Sequence, residues 1–331
     1  MMKNLGVVSI GRNEGDRLIR CLNSLQQHLP QVPIVYVDSG STDNSVAEAH
    51  SRDVHVIELD MSIPFTGARA RNAGFDYLLA QFPHAEYVQF IDGDCELLTG
   101  WMAEAIATLE ASSKLAVVFG RLHERFPTAS FYNQLADMEW NVPIGEVTAC
   151  GGISLMRAAA LKAVGKFNES MICGEEPELC IRLRRQGWKL RRIDCDMAIH
   201  DMDMHHFGQW WKRSVRGGWA VAEGAAMYGD SPERYMHREN VSGWLWGATL
   251  PLVAGSFAGM THGVTLGFFS LYLLLLLKIY RHRRSQSETP KASFLYACFC
   301  VLAKVPQAIG QSKYWINRWQ QKPATLIEYK G

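Results

Sequence analysis

The sequence predicts an α/β fold, a doubly wound and mostly parallel sheet, followed by a C-terminal helical region that associates with a membrane. Three observations predict it. Short apolar runs alternate with segments of helical spacing between residues 5 and 91. The runs end in acidic or hydroxyl-rich turns, as strands do when they feed loops at the carboxyl edge of a sheet. Residues 243–277 contain no Asp, Glu, Lys or Arg.

Composition narrows the class. At 331 residues with 48% apolar content, the chain suits one large α/β domain plus a smaller part. A net charge of +1 argues against a nucleic-acid partner. Eight cysteines are scattered without a C-x-x-C pair, so neither a zinc site nor a disulfide framework is indicated, and a reducing compartment is expected. The first ten residues carry one lysine and an apolar run. They read as a first core strand and not as a secretory signal, which places the chemistry in the cytoplasm.

The elements follow in order. Residues 5–10 read as a buried strand, and residues 14–29 as a helix with Leu18, Leu22, Leu25 and Leu29 on one face. A second strand, 34–37, ends in Asp38-Ser39-Gly40-Ser41-Thr42-Asp43, a turn rich in helix-capping residues, before a helix reaching about residue 52. Residues 54–59 form a third strand, 67–82 a helix and 87–91 a fourth strand. Asp38, Asp92 and Asp94 then all lie just past strand ends, where one crevice can contain them. In Asp92-Gly93-Asp94 the acids are two residues apart, so on extended backbone they project the same way and can share one cation. Mg²⁺ or Mn²⁺ suits such oxygen ligands together with substrate phosphates. The competing reading is a solvated turn.

Residues 99–112 read as a helix and 115–120 as a strand. Residues 121–149, with two prolines and several aromatics, read as irregular and suited to line an acceptor site. Residues 157–164 form a short helix closed by Gly165. Next comes Cys173-Gly174-Glu175-Glu176-Pro177, leading into a helix over 177–186 bounded by Pro177 and Gly187. Glu176 stands at its amino terminus, where the helix dipole favours a charged carboxylate: a general base or a plain cap. His200-Asp201-Met202-Asp203-Met204-His205-His206 gathers possible metal ligands beyond another strand; a structural histidine is the alternative for His200.

As one helix, residues 243–277 would span about 50 Å, against a hydrocarbon core of about 30 Å. Pro251, Gly255, Gly259, His262 and Gly263 offer breaks, so two helices over about 244–260 and 263–280 are expected, forming a membrane hairpin or a buried pair. Arg281-His282-Arg283-Arg284 then marks the cytoplasmic side. Residues 292–311 are apolar but carry Lys304 and Pro306, which suggests a helix that lies at the membrane surface or spans it weakly. The organisation expected is a catalytic domain over 1–225, a connector over 226–242, a transmembrane or re-entrant hairpin over 243–280, and a basic linker with an interfacial helix over 281–331.

The Asp38 turn, Ala70-Arg71-Asn72-Ala73-Gly74, Asp92-Gly93-Asp94 and Glu175-Glu176, taken in that order, resemble the family 2 glycosyltransferases of GT-A fold, over about residues 5–221. The tail is similar to that of bacterial members anchored in the inner membrane with a cytoplasmic catalytic domain. The resemblance implies that Asp38 reads the nucleotide base, with Ser39 replacing the family's second acid. It implies that Arg71 lies near the donor nucleotide, that Asp92 binds ribose and metal, and that Asp94 binds the metal on the diphosphate, where His200 can join it. Glu175-Glu176 matches the family's Glu-Asp, the second acid being the catalytic base. Arg213 and Arg216 stand where processive members carry Gln-x-x-Arg-Trp; the missing tryptophan points to a non-processive enzyme, with the two arginines clamping the diphosphate or facing anionic lipid. Gly151 and Gly152 match a glycine pair at the acceptor, or form a simple turn. The implied reaction is inverting transfer of a sugar from a nucleoside-diphosphate sugar to a lipid-linked or saccharide acceptor in cell-envelope or exopolysaccharide synthesis. A sugar nucleotidyltransferase, or a non-catalytic membrane-associated binder of nucleotide sugars, would keep the same nucleotide site.

Overall fold

The computed structural model describes residues 4–322 and 324–329. The chain divides into two compact units between Asp203 and Met204. The first unit ends ahead of residue 225, so the helix that carries Arg213 and Arg216 belongs to the second.

The first unit opens with β1 (Leu5–Gly11), α1 (Asp16–His28), β2 (Ile34–Asp38), α2 (Ser45–His50), β3 (His55–Glu58), α3 (Gly67–Gln81) and β4 (Tyr87–Asp92). It continues through β5 (Cys95–Leu97), α4 (Trp101–Glu110), β6 (Leu115–Glu124), α5 (Phe131–Trp140), β7 (Gly145–Val147) and β8 (Ser154–Arg157). It closes with α6 (Ala158–Ala163), α7 (Glu175–Arg185) and β9 (Lys189–His200). One sheet runs β3-β2-β1-β4-β8-β6-β9-β5, with β7 on β9. The first four strands are mutually parallel, as the strand–helix alternation predicts. β8 pairs antiparallel with β4 and β6, and β5 and β7 antiparallel with β9, so the sheet as a whole is mixed.

Burial explains the central strands. Val7 and Val8 point to opposite faces of β1 and both are fully buried, because helices cover both sides of the sheet. On α1, Leu18, Leu22 and Leu25 are buried at helical spacing. Gly74 lets α3 lie close on the sheet: a Cβ there would collide with Val8 and sit 2.9 Å from the Val37 methyl.

Residues 121–149 are more ordered than their composition suggests. They hold the end of β6, α5 and β7. Pro127 and Pro143 flank α5 without interrupting it, and the Ser130 hydroxyl caps that helix by accepting from the Asn133 amide at 3.0 Å.

In the second unit, α8 (Phe207–Tyr228) packs against a C-terminal helix through two close approaches. A Cβ on Gly218 would strike the Gln307 carbonyl, and one on Gly310 the Val215 carbonyl. The apolar region holds two helical stretches, over 237–256 and 264–285, interrupted at 257–263 where the sequence places the interruption. α9 (His237–Trp244) runs into a widened π turn over 245–249 and then α10 (Leu250–Ser256). Pro251 has no amide hydrogen to bond four residues back, and the π turn falls at that break. A 3₁₀ segment over 264–270 leads into α11 (Leu271–Ser285), followed by α12 (Pro290–Leu302) and α13 (Lys304–Trp319). Among the described residues, two helical stretches are long and apolar enough to cross a bilayer, Val264–Ser285 and Pro290–Trp319. The second covers the helix expected over 292–311 and extends it: Lys304 and Pro306 fall in the first turn of α13, where proline needs no amide partner, so the run continues to Trp319.

Candidate active site

The two edges of β1 set the site. In the parallel register Gly11 lies beside Asp38 and Ile10 beside Asp92, so the ends of β2 and β4 bring both acids to the carboxyl edge of the sheet. The Asp38 carboxylate is committed to its own turn. Oδ2 accepts from the amides of Gly40 and Ser41 at 2.9 and 2.7 Å, and Oδ1 from the Tyr36 and Ser41 hydroxyls. Burial and the Asp38 charge push the Tyr36 phenol up, which keeps it a donor.

Arg71 is the hub of the second layer. Thr66 caps α3 by accepting from the Arg69 amide, and this fixes the first turn from which Arg71 projects. Its guanidinium is buried and reaches three carboxylates: Nη1 donates to Glu175 at 2.8 Å, Nη2 donates to Asp92 at 2.9 Å, and Nη2 lies 3.4 Å from Glu176. Burial alone would pull the guanidinium pKa down; Asp92, Glu176 and Glu175 more than reverse this, and it is raised. Two glycines make the room. A Cβ at Gly152 would collide with Nη2 of Arg71 and lie 2.9 Å from Glu176 Oε1, and one at Gly67 would lie 2.9 Å from both Nη1 and Glu175 Oε1. Gly151, by contrast, faces open space. Asn72 serves elsewhere, clamping the loop at Phe167 through its backbone oxygen and amide at 2.9 and 3.1 Å and bonding Glu169.

α7 begins at Glu175, two residues before the proline that predicted it, after Gly174 takes the left-handed conformation at φ 81°. Glu175, Glu176 and Glu178 all occupy its first turn. Glu178 is structural: it chelates Arg182 one turn on, between 2.6 and 3.1 Å. Glu176 is the more exposed of the two acids on Arg71, at 16% against 8% for Glu175, and so the better placed to meet a substrate.

The third cluster is set by strand pairing around β9. His200 is opposite Cys95 on β5 and beside Glu124 on β6. Asp94, Cys95 and His200 place ligand atoms within 4.8 Å of one another, all buried. Asp94 Oδ2 is 3.3 Å from His200 Nε2. Cys95 is a poor ligand here: burial and the neighbouring acids raise its thiol pKa well above the ordinary value, and the thiol donates to Asp94 Oδ1 at 3.4 Å. The remaining O and N donors, Asp94 and His200, fit a hard-to-borderline divalent ion such as Mn²⁺. Asp92 lies outside this group, on Arg71.

Glu124 completes the cluster. Oε1 accepts from Asn133 Nδ2 and the Phe126 amide, Oε2 accepts from the Met202 amide, and Oε2 lies 3.8 Å from His200 Nδ1. The edge of the Trp140 ring packs on His200 at 4.7 Å between centroids. This arrangement turns Nε2 toward Asp94. Nothing in the sequence pattern singles out Glu124, which lies at the start of the stretch expected to be irregular. Arg213 and Arg216 lie on α8 of the second unit, where Arg216 stacks over Tyr329 at 4.4 Å.

The mixed α/β sheet with acids at the carboxyl ends of its parallel strands is of GT-A type, and a solved structure shares the fold. That structure, a mannosyltransferase from Pyrobaculum calidifontis in complex with GDP-Man and Mn²⁺, superposes with a TM-score of 0.62 at 16% identity, covering 95% of this chain and 88% of that one. Residues 7–165 match the glycosyl transferase family 2 model, and the first unit therefore carries a family 2 glycosyltransferase domain. The succinoglycan biosynthesis protein ExoU of Rhizobium meliloti (strain 1021) is 26% identical over 204 residues, 56% of this chain; the chain spans 58% of that relative's length.

Proposed function

We propose that the chain is an inverting, metal-dependent and non-processive glycosyltransferase that moves a sugar from a nucleoside-diphosphate sugar to a saccharide or lipid-linked acceptor in exopolysaccharide synthesis. The observation that carries the reading is the Arg71 bridge, which ties Asp92 at the strand end to Glu175 and Glu176 at the head of α7. Asp92 faces the nucleotide in this reading. Asp94 and His200 would hold a divalent ion, whose chemistry when bound is to neutralise charge building on the leaving diphosphate. Glu176 takes the proton of the acceptor hydroxyl as its oxygen bonds to the anomeric carbon. The bond from that carbon to the diphosphate breaks, the nucleoside diphosphate leaves, and direct displacement inverts the centre. Arg71 fixes the position of the Glu176 carboxylate, with Nη2 3.4 Å from it. The similarity to a succinoglycan biosynthesis protein supports an exopolysaccharide product. The apolar stretches Val264–Ser285 and Pro290–Trp319 support attachment to a bacterial inner membrane, and the Arg281-His282-Arg283-Arg284 cluster supports a cytoplasmic catalytic unit.

The test is turnover by the purified full-length protein against a panel of nucleotide sugars with Mn²⁺ or Mg²⁺, beginning with GDP-Man. Release of nucleoside diphosphate is expected, and Glu176→Gln should lower kcat by about 10²–10⁴ while donor affinity stays unchanged. Release of pyrophosphate, or near-normal turnover in the variant, would overturn the assignment.

Gly152→Ala separates this site from a simple turn. The added methyl must displace the Arg71 guanidinium or the Glu176 carboxylate, and misplacing a catalytic group by about 1 Å costs up to about 10² in rate. A large fall in kcat with a nearly unchanged melting temperature is expected, whereas Gly151→Ala, facing open space, should be silent in both.

A further inference from the structure

The second unit contains a groove of about 850 Å³ between α9 and α11. Its size falls within the range of pockets that hold small organic ligands, about 300–1,000 Å³. Val241 and Leu245 form one wall, Leu271 and Leu274 the other, and all four are exposed. Trp246 packs on Tyr272 at 5.4 Å and joins the walls. The groove is also lined by Arg238, Lys278 and Lys304. Among the described residues none of the three forms a salt bridge, and they stand against one lining carboxylate, Glu239, which lies within electrostatic reach of Lys304. Three unpaired cations on an apolar channel complement a ligand with an anionic head and a hydrocarbon tail.

We propose that this groove binds an anionic phospholipid of the surrounding bilayer, its phosphate at Arg238, Lys278 and Lys304 and an acyl chain along the leucine wall. The inference rests on the membrane attachment proposed above. Lys278 lies one turn before the Arg281–Arg284 cluster on α11, which places the head group at the cytoplasmic leaflet, where basic pockets between helices capture anionic lipids.

The experiment is native mass spectrometry of the full-length protein in neutral detergent, titrated with phosphatidylglycerol and with phosphatidylcholine of the same chains. Phosphatidylglycerol should bind at least about tenfold more tightly. The Arg238→Gln/Lys278→Gln/Lys304→Gln variant should lose about a hundredfold in that affinity and lose the preference, given the contribution of each cation near a membrane surface. Arg281→Gln/Arg284→Gln, with charges outside the groove, should bind as the wild type does. Equal binding of the two lipids, or an unaltered triple variant, overturns the proposal. So does displacement of phosphatidylglycerol by an equimolar polyprenyl phosphate, which would assign the groove to a lipid-phosphate acceptor. If the triple variant melts early without lipid, Lys278→Gln alone carries the test, because Lys278 is exposed; the thermal shift given by phosphatidylglycerol should then shrink. Carbonate extraction separates the two readings: release of the protein defeats membrane attachment, whereas retention without lipid preference defeats only the lipid site.

Discussion

Arg71→Met will destabilise the first unit by about 3–5 kcal/mol, the cost of leaving a buried charge without its partner. Glu175 is 8% exposed and keeps no other cation in the ion pairs described, so it must either protonate or draw in water. For a domain of this size the melting temperature should fall by about 10 °C or more. Differential scanning calorimetry checks this, and the double variant Arg71→Met/Glu175→Leu supplies the control. Removing both charges should recover much of the loss, since an apolar replacement of a buried pair is often neutral. Turnover should stay low in both, because Glu176 loses its anchor. A melting temperature unchanged in the single variant would show that the bridge contributes nothing to the fold.

Asp94→Asn will weaken Mn²⁺ binding about 10–100-fold and lower kcat by about 10²–10³. The fold should survive, since the amide keeps the shape and can still accept from Cys95. Asp92→Asn is the informative contrast. Asp92 contacts Arg71 and stands apart from the Asp94–Cys95–His200 group, so its loss should raise the KM for the donor while Mn²⁺ affinity, read by electron paramagnetic resonance, stays near normal. Equal weakening of metal binding in both variants would mean that the two acids share the ion after all.

Much of this site is legible in the sequence because its parts are local. An apolar run that stops at an acid marks a strand end in a parallel sheet, which is how Asp38 and Asp92 can be placed from the chain alone. Glu176 is legible because proline and glycine bracket α7. The parts that escape depend on pairing between distant segments. β5 and β8 have three and four residues, too few for a period to emerge. Glu124 becomes relevant only when β6 lies beside β9, and the need for glycine at 152 exists only once Arg71 and Glu176 meet there. In the apolar tail the glycines and histidine near 259–263 mark the interruption from the chain alone, whereas the π turn over 245–249 and the extent of the run ending at Trp319 emerge only in the structure.

β9 has a consequence for how such a chain tolerates change. His200 faces Asp94 only because the register of β9 against β5 and β6 is what it is, and a slip of one residue would turn its ring to the opposite side of the sheet. A single-residue insertion or deletion between 189 and 200 would therefore abolish the Asp94–His200 pair yet leave the Asp38 turn and the Arg71 bridge intact, since those are anchored by β1, β2, β4, α3 and the head of α7, all ahead of β9 in the chain. The two halves of the crevice are thus separately heritable: a lineage can remake the Asp94–His200 pair within β9 without disturbing the acids gathered on Arg71.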